Sequence, residues 1–253
     1  MKIRKSRAIE HIANCELVRD DCKFISEAAP WKIISSKLDK GAFQRFEVGD
    51  DSFLRFMIDG TSDVFEWGSN ARIFAREGCH RGFLRSAKEL YEDIKDIKTD
   101  YTVSDDHSRG APIALLILML KFCDYHGIDW KKYGLYKAIR KWKKAGENYN
   151  PCFNTPQIVT SGSPVVITGK MKRLLQSLKV QPFDHHALRT KKDPVYKISQ
   201  KGRLNYLLIP PFLRLHHITH FTYDLPTAPG IDHLTQQYLK AIIKSSKEIW
   251  REE

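Results

Sequence analysis

The sequence predicts an α/β domain in which one central, mostly parallel sheet is flanked by helices. Three observations predict it. A β-prone segment, residues 101–103, runs through Asp105-Asp106-His107-Ser108-Arg109-Gly110 into an unbroken apolar run, residues 111–120, the pattern of a strand turning sharply into a buried helix. Further β-rich runs, such as 52–58 and 157–160, are separated from it by segments with helical periodicity. With 253 residues, 42% of them apolar, the chain can bury roughly 70–75% of its unfolded surface, enough for one sheet and its covering helices.

Residues 1–40 are expected to form an N-terminal helical or irregular cover, with Trp31, Ile33 and Ile34 tucked against the body. Residues 43–48 and 53–58 make a hairpin around Gly49-Asp50-Asp51. Residues 81–96 read as a helix whose inner face carries Phe83, Leu84, Ala87, Leu90, Tyr91 and Ile94. The strand before Ser108 and the helix after it follow, the helix stopping near Gly127. Residues 130–150 read as a basic, aromatic insertion, 157–161 as a strand, 168–178 as a helix, and 180–183 as another strand leading to Asp193. Extended sheet or loop is expected over 212–223, and Leu234, Tyr238, Ile242 and Ile249 fall on one helical face. No repeat or low-complexity tract divides the chain, so residues 1–253 are expected to be a single domain.

A series of short motifs punctuates these elements. Phe56-Met57-Ile58 runs into Asp59-Gly60-Thr61, and Glu66-Trp67 follows. Then come Cys79-His80-Arg81-Gly82-Phe83, the Ser108 turn, Gly162-Ser163-Pro164, Asp193-Pro194-Val195 and Asp232-His233. In kind and order this series resembles the class 3 lipase family of α/β-hydrolases, the fungal-type triacylglycerol lipases and their bacterial and plant relatives. The resemblance spans residues 43–243. No single motif is specific; the specificity lies in six of them in one order.

The resemblance implies an α/β-hydrolase fold and a serine esterase acting on lipid or small ester substrates. It matches Ser108 to the nucleophile, Asp193 to the acid and His233 to the base. Serine is a poor nucleophile at neutral pH, so an imidazole must take its proton while a carboxylate fixes the tautomer. Thr61 and the N–H of Arg109 match the oxyanion donors, and losing one such donor typically costs ~100-fold to ~1,000-fold in rate. The stretch 62–78 matches a lid, with Val64, Phe65, Trp67, Ile73 and Phe74 covering Ser108 and Gly68 as a hinge. No cofactor and no metal is implied, and His216-His217-x-x-His220 lacks the spacing of a zinc site.

The chain departs from the family at three positions: Asp59 for an arginine, Asp106 for the first elbow glycine and Ala111 for the last. The aspartates fit either an ion-pairing rearrangement with Arg55 or Arg109 or an impaired enzyme that keeps the fold to bind an anionic membrane or a protein partner. Each triad member also has a structural reading. Ser108 fits a turn or cap residue, Asp193 a turn before proline, and Asp232-His233 the cap and first turn of a helix.

The net charge is +12, and its densest part is 130–144, where Trp and Tyr alternate with Lys and Arg. That segment fits an element settling on anionic lipid with its aromatics at headgroup level, or a solvated amphipathic helix packed by its aromatic side. Nucleic acid fits the charge but no recognisable module accompanies it. Five cysteines, Cys15, Cys22, Cys79, Cys123 and Cys152, form an odd, scattered set without a CxxC pair, which favours a reducing compartment. No apolar h-region follows the basic N-terminus, and the apolar run 111–120 is half a membrane span. A cytoplasmic or intracellular location, with peripheral membrane contact, is the expectation.

Overall fold

The structure, a computed structural model, describes residues 2–19, 31–37, 39–60, 75–164, 166–190, 193, 195, 215–216, 219–227 and 235–250. In chain order these carry α1 (Lys5–Leu17), β1 (Lys32–Ser35), β2 (Lys40–Val48), β3 (Asp51–Ile58), β4 (Ala75–Arg76), β5 (Cys79–His80), α2 (Arg81–Ile94), β6 (Tyr101–His107) and α3 (Gly110–Tyr125). After them come α4 (Trp130–Tyr133), α5 (Leu135–Lys144), β7 (Gln157–Ser161), β8 (Ile167–Thr168), α6 (Gly169–Gln176), β9 (Asp184–Thr190), β10 (Leu215–His216), β11 (Phe221–Leu225) and α7 (Thr235–Lys244).

Seven strands form the central sheet in the order β1-β2-β3-β6-β7-β9-β11. The first three are an antiparallel meander, and β3 through β11 run parallel. Parallel neighbours need crossovers over a sheet face, so both faces are covered and the strands must be apolar on both. On one face Leu54, Phe56, Ile58 and Ile158 pack beneath α2 and α3; on the other, Val159, Leu188, Tyr223 and Leu225 pack with α1 and α7. A second sheet, β10-β8-β5-β4, ties the segments before α2 and α6 together.

The helix α3 has no polar stripe over 111–120 because all of it is buried: Ile113 through Leu120 are each at most 1% exposed. Gly127, at φ +64°, sits two residues beyond its end in the left-handed conformation that stops such a helix. The helix α2 begins at His80, whose ring accepts the Phe83 amide at 3.4 Å, and buries the six residues its periodicity selects.

The structure corrects several expectations. Residues 180–183 are not the strand; the pairing that leads toward Asp193 begins at Asp184, where His185 and His186 face Ile158 and Val159. Two adjacent histidines mask a strand pattern that is buried on both faces. Ile33 is not tucked in but 54% exposed, while its neighbour Ile34 is buried, as alternation on an edge strand demands. Residues 75–78 close the β4–β5 hairpin, where Glu77 binds Lys88 at 2.9 Å and the Leu135 amide at 2.9 Å, so they do not belong to a lid. Of the two readings of 130–144, its tryptophans follow the one in which the aromatic side packs inward. Trp130 donates to Asp124 at 2.6 Å, and Trp142 packs on Phe122 and His126. Among the described residues, no helix is long and apolar enough to cross a membrane.

Candidate active site

Strand β6 and helix α3 meet in a two-residue turn, and Ser108 stands at its apex with φ +51°. A β-carbon in the left-handed region costs about 1–2 kcal/mol. Such outliers persist where the surroundings overdetermine them, which is characteristic of functional turns. Here the surroundings are visible. The Ser108 amide donates to the Ser161 carbonyl at the end of β7 at 2.9 Å. Gly110 lets α3 approach β3 so closely that a β-carbon would lie 2.1 Å from the Ile58 carbonyl oxygen. Gly60, just past β3, lies over the apex, a β-carbon built there meeting Ser108 Cβ at 3.3 Å.

Arg109, the first residue after the apex, turns its side chain away into a clamp. Its Nε and Nη2 donate to the two oxygens of Asp39 at 2.6 and 3.0 Å, Ser86 donates to the same carboxylate at 2.5 Å, and all three are buried. A bidentate guanidinium–carboxylate pair fixes orientation as well as charge, so the backbone at the head of α3 is held from the side.

Asp106 explains why a carboxylate is tolerated where a glycine is expected. One oxygen accepts the Ile58 amide at 2.7 Å, continuing the β3–β6 pairing beyond Phe56 and Ser104, and the other lies 2.5 Å from Ser104 Oγ. Ser104 Oγ in turn contacts the Phe56 carbonyl at 3.1 Å. Burial pushes the Asp106 carboxyl well above the usual range, which favours the protonated acid; the single Ser104 hydroxyl proton serves only one of its two neighbours, and with Asp106 protonated it is free for the Phe56 carbonyl. Neither Arg55 nor Arg109 pairs with Asp106. Arg55 is bound to Glu10 at 2.8 Å, and Arg109 to Asp39. Because the folded chain holds this proton more tightly than the unfolded chain, stability falls as pH rises above the ordinary carboxyl range near 4. Asp106→Asn supplies the same acceptor and donor without a proton to lose. It is expected to melt above wild type at pH 8, with the gap closing by pH 4; a variant melting below wild type at both pH values would contradict a protonated acid.

Beneath the turn lies a buried chain that the sequence reading missed. His107 Nδ1 contacts Ser161 Oγ at 2.8 Å, Ser161 Oγ contacts His11 Nε2 at 3.0 Å, and His11 Nδ1 contacts Asp105 at 3.2 Å. Asn14 donates to the second Asp105 oxygen at 2.8 Å, and Arg7 forms an ion pair with the first at 2.7 Å without well-aligned hydrogen-bond geometry. Burial would push the Asp105 carboxyl up, but Arg7 and His11 together hold it well below the usual range. Burial also lowers His11, which is therefore neutral. One proton arrangement then satisfies every member, each donating to the next from His107 to Asp105. Ser161, His11 and Asp105 have the residue types of a catalytic triad, but His11 and Asn14 of α1 spend their bonds on Ser161 and Asp105 of the strands, so this set braces α1 against the sheet.

Asp193 lies three residues beyond β9, at the same carboxyl edge of the sheet as Ser108 and two strands away from it. It is fully buried; one oxygen accepts the Val195 amide at 2.8 Å and the other the Tyr238 hydroxyl at 2.6 Å. The Tyr238 ring lies edge-on to His107, 5.8 Å between centroids. Tyr238, on the first turn of α7, thus links the acid to the residue preceding Ser108. Thr61, Val64, Phe65, Trp67, Gly68, Ile73, Phe74 and His233 lie outside the described residues.

The histidines near the C-terminus hold the sheet. His185 pairs with Thr160 at 2.8 Å, and His186 with Tyr223 at 3.0 Å and Asp184 at 3.2 Å. Among the described residues, no group of three or more His, Cys, Asp or Glu is arranged to hold a metal.

No protein-family model matches the chain, and no curated protein does. Solved structures do. A triacylglycerol lipase from Penicillium expansum superposes with a TM-score of 0.53 at 10% identity, over 92% of this chain and 84% of its own. A Rhizomucor miehei lipase in complex with its propeptide gives 0.51 at 13%, over 97% and 81%. A lipase from Rhizopus microsporus var. chinensis gives 0.50 at 13%, over 97% and 88%. At such identities the likeness is one of fold, and the fold is the α/β-hydrolase fold of the fungal lipases.

Proposed function

We propose that this chain, sharing its fold with fungal lipases, is a serine hydrolase that cleaves carboxylic ester bonds, of lipids in particular, through an acyl-enzyme on Ser108. The observation that carries the proposal is the left-handed serine between β6 and α3, held by Ser161, Gly60 and Gly110 at the edge where Asp193 is also anchored. Ser108 attacks the ester carbonyl and His233 takes its proton. The alcohol leaves with that proton, and a water activated by the same imidazole releases the acid. Asp193 orients His233. The Arg109 amide and Thr61 stabilise the oxyanion, the former backed by the Asp39 clamp. A neutral Asp106 adds no negative charge beside that oxyanion, which favours a working site over an impaired one.

The segment 130–144 is proposed to meet an anionic membrane surface by charge alone, since its tryptophans face inward. The hydrolase proposal is tested with a soluble short-chain ester. Wild type is expected to turn it over and Ser108→Ala to lose about 10⁴-fold or more in kcat. Equal rates in the two would overturn the proposal.

A further inference from the structure

We propose that an open cleft between α5 and α6, lined by Arg140, Lys170 and Arg173, binds the phosphomonoester headgroup of an anionic lipid. It deepens the membrane-surface reading of 130–144 and rests on it. Residues 130–146 hold seven Lys or Arg and no acid, and residues 166–183 hold four and no acid. The fold brings these two stretches together around a cleft of ≈ 490 Å³ whose walls also carry Tyr136, Leu174 and Ser177.

This placement works against helix stability. Lys137, Arg140, Lys141 and Lys144 repeat at three- and four-residue spacing on the exposed side of α5, where like charges repel. Lys170 and Lys172 occupy the first turn of α6, the positive end of the helix dipole, and no acid offsets them there. Cations at the last turns of α5 and α6, Arg173 among them, are placed favourably by the helices' own dipoles, but Arg140 and Lys170 are not. Among the described residues, Lys137, Arg140, Lys144, Lys170 and Arg173 form no ion pair, although nearby exposed cations such as Lys131 do, with Glu92. Unrelieved like charge converging on a cleft is relieved by an anion from outside.

The chemistry of the walls selects the anion. Two guanidinium groups and an ammonium suit a phosphate with free oxygens, which guanidinium grips with two parallel hydrogen bonds. A monoester carries about −1.5 to −2 at neutral pH, more than the diester of an ordinary headgroup. Single-stranded nucleic acid needs aromatic faces for its bases. The cleft wall offers one half-buried ring, Tyr136, and no run of faces beside it: Trp130 is buried, Trp142 packs on Phe122, and the Tyr133 ring is covered by Lys141 at 4.2 Å. A lipid headgroup needs no stacking surface and meets the cleft as one site on a cationic flank.

The test is sedimentation of the full chain with phosphatidylcholine vesicles containing phosphatidate or, at equal mole fraction, phosphatidylserine. Phosphatidate vesicles are expected to bind at least about tenfold more tightly, and both to be weakened by salt. Arg140→Ala/Lys170→Ala/Arg173→Ala is expected to lose on the order of 100-fold for phosphatidate, about fivefold per cation near such a surface. Hydrolysis of a soluble ester by this variant stays within about twofold of wild type, which also shows that it folds. Equal binding to both lipids, unchanged in that variant but lost in Lys131→Ala/Lys132→Ala/Lys137→Ala, overturns the cleft and leaves the membrane reading intact. No binding to either anionic vesicle overturns both, and tighter binding to a single-stranded oligonucleotide than to phosphatidate replaces the lipid by nucleic acid.

Discussion

Asp193→Asn is expected to lower kcat for a soluble ester about 10⁴-fold at pH 7, with little change in KM or melting temperature. The asparagine keeps an oxygen for the Val195 amide or the Tyr238 hydroxyl, so the turn after β9 survives. What it loses is the charge that holds an imidazole in the acceptor tautomer and stabilises the imidazolium as proton transfer proceeds. Tyr238→Phe separates this role from simple packing. It removes one hydrogen bond to the acid and leaves the ring against His107, so a loss far smaller than that of Asp193→Asn is expected. Comparable losses in both would mean that Asp193 acts only by anchoring α7. Steady-state rates with melting curves for each variant decide it.

The second large effect falls on stability. Asp105→Ala leaves Arg7 and Asn14 facing an empty buried site and removes the acceptor at the end of the His107–Ser161–His11 chain. Breaking a buried pair by deleting one partner costs roughly 3–5 kcal/mol, which in a chain of this size lowers the melting temperature by roughly 10 °C. Acid acts on the same network. The Asp105 carboxyl lies below its ordinary range when folded, so its contribution is present above about pH 4 and is lost as pH falls further. His11 is also depressed when folded, so the unfolded chain takes up its proton first and stability declines below about pH 6.5. Wild type should therefore melt progressively lower as pH falls from about 4 to about 2, and less steeply in Asp105→Ala. Parallel curves over that range would mean that Asp105 is not the group whose protonation unfolds the chain.

Much of this arrangement was legible in the sequence because local pattern and tertiary role coincide. The apolar run after Ser108 can only be a helix buried on all sides, and the periodicity of 81–94 names its own inner face. Motif order placed Ser108 at the turn and Asp193 at the edge without any knowledge of pairing. Other features depend on partners remote in sequence and left no local trace. Asp39 meets Arg109 across 70 positions, and His11 meets Asp105 across 94. Asp106 read as a departure because the glycine pattern says nothing of burial; the structure shows a side chain replacing a rung of the β3–β6 ladder. The inward tryptophans of 130–144 were ambiguous for a similar reason. An amphipathic helix with aromatics and cations reads alike whether its apolar side meets lipid or protein, and only Asp124, Phe122 and His126 decide.

An activated Ser108, served by residues far from it in sequence, reacts with reagents that a free serine ignores. The most direct test is to incubate the folded protein with a fluorophosphonate and locate the adduct by peptide mass spectrometry. One phosphonylated residue is expected, Ser108, with modification abolished in Ser108→Ala and slowed at least ~100-fold in His233→Ala. Folded wild type that remains unmodified, or an adduct elsewhere that persists in Ser108→Ala, would contradict an activated Ser108.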